Sequence, residues 1–198
     1  YLNLDKERTQ YSNTPASDID RGPKFSFFKA PIQNTKSHKS ITIKDAYNYI
    51  VGHYAKEKTE TLRSFDDKKR ARLYKSANFD YVTFCGEFDI RSNNSVKSVS
   101  GLLCIDFDHV AELEGLFSKL LKDEYFNTVL LFRSPSGDGL KWVIEIPPSD
   151  LPHPDFFRAI ENYIFKVYGI KIDGSGKDIS RACFLCHDPN AYINPNYI

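Results

Sequence analysis

The chain has 198 residues, with 27 Lys and Arg against 26 Asp and Glu for a formal charge of +1, and is 41% apolar and 14% aromatic. That length and mix suit one domain, at most with a small appendage, and exclude a disordered chain, a collagen or a coiled coil. The near-neutral balance excludes a histone-like affinity from bulk charge but leaves room for a local basic groove.

Residues 1–24 carry Thr, Ser, Asn, Asp and Pro at short intervals and predict a loop or loosely attached arm. Phe25, Phe27 and Phe28 predict a short docked strand before Pro31, and residues 31–40 are polar again, so the first forty residues are expected as a partly extended arm and 41–198 as the domain. Thr42 and Asp45 have capping-box spacing, and Ile43, Ala46, Tyr47, Ile50, Val51 and Tyr54 follow at helical intervals. A charged helix is expected from about Phe65 to Ser76, with Lys68, Lys69, Arg70, Arg72 and Lys75 forming a basic surface that is either solvated or set against a phosphate backbone. Tyr81–Cys85 predicts a strand, Ser92–Ser98 a polar loop, and Val99–Phe107 a second, strongly apolar strand. Residues 111–122 predict an amphipathic helix. Thr128–Phe132 and Leu140–Ile146 predict a strand pair joined by the Ser134–Gly139 turn. A helix is expected at about 154–168 and a short strand at Ala182–Leu185. The antiparallel pair within an alternating pattern predicts an α+β fold with a mixed or antiparallel sheet.

Three stretches carry possible chemistry. Asp106 and Asp108 are two apart at a strand end, so their side chains share a face and repel unless compensated. A divalent cation would compensate them; the alternative is an acidic loop start. The Arg133-Ser134-Pro135-Ser136-Gly137-Asp138-Gly139-Leu140-Lys141 run could turn backbone N–H groups toward a phosphate, with Arg133 and Lys141 as flanking cations, or could be an ordinary hairpin turn. It lacks the Gly-Lys-Ser/Thr ending of a P-loop. Asp178 and Arg181, in the loop that begins at Asp173, are candidates for a third acid and its electrostatic partner.

Cys183, Cys186 and His187 supply only half of a structural zinc site, while Cys85 and Cys104 lie in strand positions where a free thiol acts as a small hydrophobe. Four cysteines are too few for a disulfide scaffold, so a reduced, cytoplasmic setting is expected. No apolar run approaches the roughly 20 residues that span a bilayer. The sequence contains no Met. It therefore reads as an excised or processed piece, or as one written without its methionines. No interface stripe stands out, so a monomer is expected.

Taken together, the stretch Ser100-Gly101-Leu102-Leu103-Cys104-Ile105-Asp106-Phe107-Asp108-His109, the turn Ser134 to Lys141 and the run Gly176-Lys177-Asp178-Ile179-Ser180-Arg181 resemble the motifs of the archaeo-eukaryotic primase superfamily. The match is closest to the VirE-type N-terminal, primase-related domain of Bacteroides and its mobile elements, and spans about Ile41 to Asn194. The resemblance implies a primase-polymerase-like fold and a nucleotidyltransferase acting in DNA replication or primer synthesis on a single-stranded DNA template. It implies Mg²⁺ or Mn²⁺ on Asp106, Asp108 and Asp178, with Asp173 a weaker match for the third acid. It implies a nucleoside triphosphate held by Arg133, Ser136, Gly137, Gly139, Lys141 and Arg181. Many members have His where this chain has Lys141, which favours as an alternative a catalytically degenerate nucleic-acid-binding module serving a helicase-like region in the same longer protein or in a partner. A metal-dependent nuclease is a third reading of the same acids.

Overall fold

Thr42 opens the first helix as its spacing predicts: its hydroxyl accepts from the Asp45 N–H at 3.3 Å, and the Asp45 carboxylate accepts from the Thr42 N–H at 2.9 Å. The computed structural model describes residues 22–147 and 152–198. The expected N-terminal arm therefore falls, as far as residue 21, outside the described residues. The elements in chain order are β1 (Phe25–Phe28), β2 (Lys39–Ile41), α1 (Ile43–Val51), α2 (Lys56–Arg63), α3 (Lys68–Asn78), β3 (Tyr81–Thr83), β4 (Gly86–Phe88), β5 (Val96–Val99), β6 (Leu102–Phe107), α4 (Leu113–Leu120), β7 (Thr128–Arg133), β8 (Leu140–Glu145), α5 (His153–Tyr168), β9 (Cys183–Phe184) and β10 (Tyr192–Ile193).

The fold is α+β. Two four-stranded sheets run in the orders β2-β1-β3-β9 and β10-β7-β8-β6, and β4 and β5 form a separate hairpin. Every pairing between named strands is antiparallel. The Phe25–Phe28 stretch is an inner strand, flanked by β2 and β3 and buried at every position, so this part of the expected arm belongs to the first sheet. Gly101, at φ +77°, separates β5 from β6 and divides what reads in sequence as one strand from Val99 to Phe107. That backbone region suits Gly because it has no Cβ.

Alternation along the strands assigns the two faces of the second sheet. Leu103, Ile105 and Phe107 of β6 and Leu140, Trp142 and Ile144 of β8 pack with Leu116, Leu120, Phe157, Ile160 and Ile164 of α4 and α5. Leu102, Leu130, Phe132 and Val143 face the other way, onto Phe25, Phe27, Ile43, Ile50 and Val82. Each aliphatic or aromatic side chain so buried contributes about 1.5–3 kcal/mol. Trp142 donates its indole N–H to the Thr128 hydroxyl at 2.8 Å, which satisfies the one polar group of the largest buried side chain. Cys104, Asp106 and Lys141 lie on the face turned toward the first sheet, with the two charged residues at its rim. No helix among the described residues is long and apolar enough to cross a membrane.

Candidate functional site

β6 and β8 pair so that Asp106 stands directly opposite Lys141, and their side chains form an ion pair. The two side chains are only 18% and 12% exposed. Burial alone would pull the Lys141 pKa down, but the charge of Asp106 outweighs it and holds the ammonium well above its usual range. Asp106 spends Oδ2 on this bond, and its buried Oδ1 has no hydrogen-bond partner among the described residues.

Asp108 lies one step past the end of β6, on the same side as Asp106. Its pKa is raised, first by partial burial and then by the neighbouring Asp106 charge. The third acid is Asp173. Its backbone N–H donates to the Asp106 carbonyl at 3.2 Å, which pins this loop to the strand end. Asp173 caps the short 3-10 turn Gly174–Lys177 by accepting from Ser175 N at 3.0 Å, and its Oδ2 accepts from Arg181 at 2.8 Å. One ligand oxygen from each of Asp106, Asp108 and Asp173 lies within 4.8 Å of the others.

Asp178, the expected third acid, is not in this group. It closes the 3-10 turn, its N–H donating to the Ser175 carbonyl, and its charge acts on His153 of α5. His153 holds that turn through a bond between Nε2 and the Gly176 carbonyl at 3.1 Å. Arg181 does reach the site, as the partner of Asp173.

The turn after β7 abuts the acids. Val110 N donates to the Asp138 carbonyl at 2.8 Å, and a Cβ on Gly139 would stand 2.2 Å from the Phe107 carbonyl oxygen, so only Gly permits the approach. Several polar groups of the turn are bonded within it. Gly137 N donates to the Ser134 carbonyl at 2.9 Å, the Ser136 hydroxyl donates to Asp138 at 2.7 Å, and Asp138 also bonds His109 Nδ1 at 2.6 Å. Arg63 of α2 clasps it from outside, donating to the Pro135 and Ser134 carbonyls at 3.1 and 3.2 Å. Arg133 pairs with Glu114 of α4. The zinc half-site also disperses: Cys183 Sγ lies 3.8 Å from Cys104 Sγ, Cys186 bonds the Arg133 carbonyl, and His187 bonds the Gly52 carbonyl.

The acids suit a hard cation. Two oxygens on one Mg²⁺, each at about 2.1 Å, can be no more than about 4.2 Å apart, so modest side-chain rotations within the observed 4.8 Å would bring three ligands onto one ion. A cavity of about 20 Å³ beside Asp106 and Lys141, also lined by Cys104, Gly176 and Arg181, has room for about one water-sized guest. Neither Asp108 nor Asp173 lines that cavity, so it is not itself the cation position. The unsatisfied Asp106 Oδ1 and the raised Asp108 pKa are the local costs that a cation held by the three acids would relieve.

Two residues of this neighbourhood are weak signals in the sequence. Asp173 is one of several acids in a polar loop, and Lys75 is one of five cations on α3. Lys75 lies half-buried with its Nζ 5.7 Å from the centre of the Phe184 ring on β9.

No curated protein and no solved structure matches the chain. A family model does, that of the BT4734-like, N-terminal domain, over residues 74–193. The matched stretch runs from the end of α3 through β10 and contains all three clustered acids, Lys141, Arg181 and the β7–β8 turn. The designation is a Bacteroides one, in keeping with the Bacteroides VirE-type part of the resemblance. With well over half of its length matched, the chain belongs to the BT4734-like N-terminal-domain family.

Proposed function

We propose that this is a metal-dependent nucleotidyltransferase-like domain of the primase kind, acting in DNA replication or primer synthesis on a single-stranded template. The observation that carries the reading is the convergence of Asp106, Asp108 and Asp173 beside Lys141, with a buried Asp106 oxygen left unsatisfied. Asp106, Asp108 and Asp173 would hold Mg²⁺ or Mn²⁺. Such an ion would lower the pKa of an attacking 3′-hydroxyl and offset charge on the phosphates of a nucleoside triphosphate.

The chain's own groups prepare that site. Lys141 stays protonated through neutral pH because Asp106 faces it, so it supplies a fixed positive charge for phosphoryl oxygens. Arg181 and Ser175 hold the Asp173 carboxylate in its ionised form; burial opposes this, but the hydrogen bonds and the Arg181 charge prevail. The Asp106 carbonyl fixes the Asp173 backbone, so the acids from two distant parts of the chain keep one geometry.

One observation favours a second reading, a non-catalytic module that binds nucleic acid for a helicase-like region in the same longer protein or in a partner. Lys141 already neutralises Asp106, and Arg181 already neutralises Asp173, so protein cations meet part of the demand an ion would meet. Template extension separates the two. Labelled nucleotides, a single-stranded template and Mn²⁺ or Mg²⁺ should give products that disappear in Asp106→Ala and Asp108→Ala. Template binding with no incorporation in the unaltered protein leaves the second reading, and metal-dependent loss of the template itself points to a nuclease.

A further inference from the structure

Helix α3 is unusual for a helix in a packed domain. Over Lys68–Asn78 it has no acidic residue and no fully buried one, while Lys68, Lys69, Arg70, Arg72 and Lys75 are all basic. Its apolar hold on the rest of the fold comes from half-buried Ala71 and Tyr74, which pack on the first core, and the Ser76 carbonyl accepts from the Ile32 N–H at 2.8 Å. Asp67 caps its start by accepting from Lys69 N at 2.8 Å, so the acid nearest the helix is spent on the backbone.

The cations are not evenly spread. Lys68, Arg72 and Lys75 stand at i, i+4 and i+7, one stripe along the helix that spans about 10 Å at 1.5 Å per residue. The outer two are exposed and the last turns inward. Lys75 sits over Phe184, the neighbour of Cys183, whose sulfur meets Cys104 two residues before Asp106. Its ammonium has no hydrogen bond and no ion pair among the described residues, although it is close enough for the charges of Lys141, Asp106 and Asp108 to act on it. Burial and the repulsion of Lys141 and Arg72 weigh against its charge there, and the two acids only partly offset them. The Phe184 ring faces this half-buried cation, but at the inner end of a cationic stripe it has no anionic partner among the described residues.

We propose that the Lys68–Arg72–Lys75 stripe binds successive phosphates of a single-stranded nucleic acid and leads that strand to the three-carboxylate centre, with Lys75 as the innermost contact. The occupant is a polyanion rather than a lone phosphate because three cations in line over about 10 Å match a repeating charge. This deepens the function proposed above and rests on its nucleic-acid reading, yet it asks only about binding.

Fluorescence anisotropy with a labelled single-stranded oligonucleotide, without divalent ions or nucleotide, tests it across a salt series. Each lost phosphate contact should flatten the plot of log K against log salt by about 0.7. Lys75→Gln should therefore lower the slope by about 0.7, and Lys68→Gln/Arg72→Gln/Lys75→Gln by about 2. Between about 50 and 200 mM salt, each such contact corresponds to roughly a 2.6-fold smaller loss of affinity. A matched control, Lys119→Gln/Lys122→Gln/Lys166→Gln, removes the same charge from α4, α5 and the residues just after α4, and should leave the slope within about 0.5 of wild type. Lys75→Arg should retain the wild-type slope. Circular dichroism checks that the variants fold, and α3 buries no side chain fully that they would disturb.

An unchanged slope in the α3 variants, an equal fall in the control, or no measurable binding by the unaltered protein at low salt would each overturn the proposal. Absence of nucleotide incorporation alongside the expected slopes would instead count against the catalytic reading alone and leave the stripe standing.

Discussion

Lys141→Met keeps the length and apolar stem of the side chain and removes its charge. Asp106 then loses the partner of its Oδ2, while its buried Oδ1 already lacks one among the described residues. With the two side chains 18% and 12% exposed, water has little access to replace the ammonium. Removing one member of a buried pair costs about 3–5 kcal/mol, because the remaining charge is uncompensated. Set against a total stability of roughly 5–15 kcal/mol, that loss is large. At roughly 2–4 °C per kcal/mol for a chain of this size, the melting temperature should fall by about 6–20 °C. Thermal melts followed by circular dichroism at neutral pH in chelator would measure it. Adding Asp106→Leu to Lys141→Met should recover most of the loss, since an apolar pair of similar volume often replaces a buried ion pair without cost. Excess Mn²⁺ should raise the melting temperature of the single variant more than that of wild type, because an ion would be the remaining counter-charge for Asp106. A Lys141→Met protein that melts within about 2 °C of wild type refutes the buried-pair account. A double variant no more stable than the single one refutes it equally.

Gly139→Ala should destabilise by about 1–3 kcal/mol, read as a lower melting temperature, because the new Cβ would overlap the Phe107 carbonyl oxygen at 2.2 Å. Gly174→Ala, with nothing within 4 Å of its Cβ, should be neutral or slightly stabilising in the same assay. His153 has a depressed pKa, chiefly from burial, so the unfolded chain takes up its proton first as the solution is acidified. Its contribution to stability is therefore present above the unfolded value of about 6.5 and is lost as pH falls through the lower folded value. Melts of wild type and His153→Gln from pH 7.5 downward should show the wild type losing ground over that window; parallel pH profiles would contradict the assignment.

Legibility from sequence followed the range of the forces involved. Asp106 and Asp108 were readable as neighbours because a strand's period of two is a local rule, and the α1 cap because Thr42 and Asp45 satisfy each other within one turn. The α2 helix left little trace, since only Thr59 and Leu62 of its residues are buried and no apolar stripe marks it. β4 and β5 are short, and a register shift at Glu87 and Phe88 interrupts their alternation. The exchange of Asp178 for Asp173 depends on a backbone bond to Asp106, a contact 67 positions away that no local pattern encodes. Likewise, nothing near Arg133 in sequence announces its pairing with Glu114, and nothing in a Gly- and Ser-rich turn reveals that the Gly137 N–H and the Ser136 hydroxyl bond within it.

The last two strands also say something about how the chain must be made. β9 joins the first sheet beside β3, and β10 joins the second beside β7, only a few residues apart. As translation proceeds from the N-terminus, neither sheet can gain its final edge until this short segment has emerged. Asp173 and Arg181 arrive immediately before it. Premature termination upstream of Asp173 would therefore leave a partner-seeking β3 edge and β7 edge exposed together, along with a centre holding two of its three acids. Such a fragment is suited to aggregation or chaperone capture.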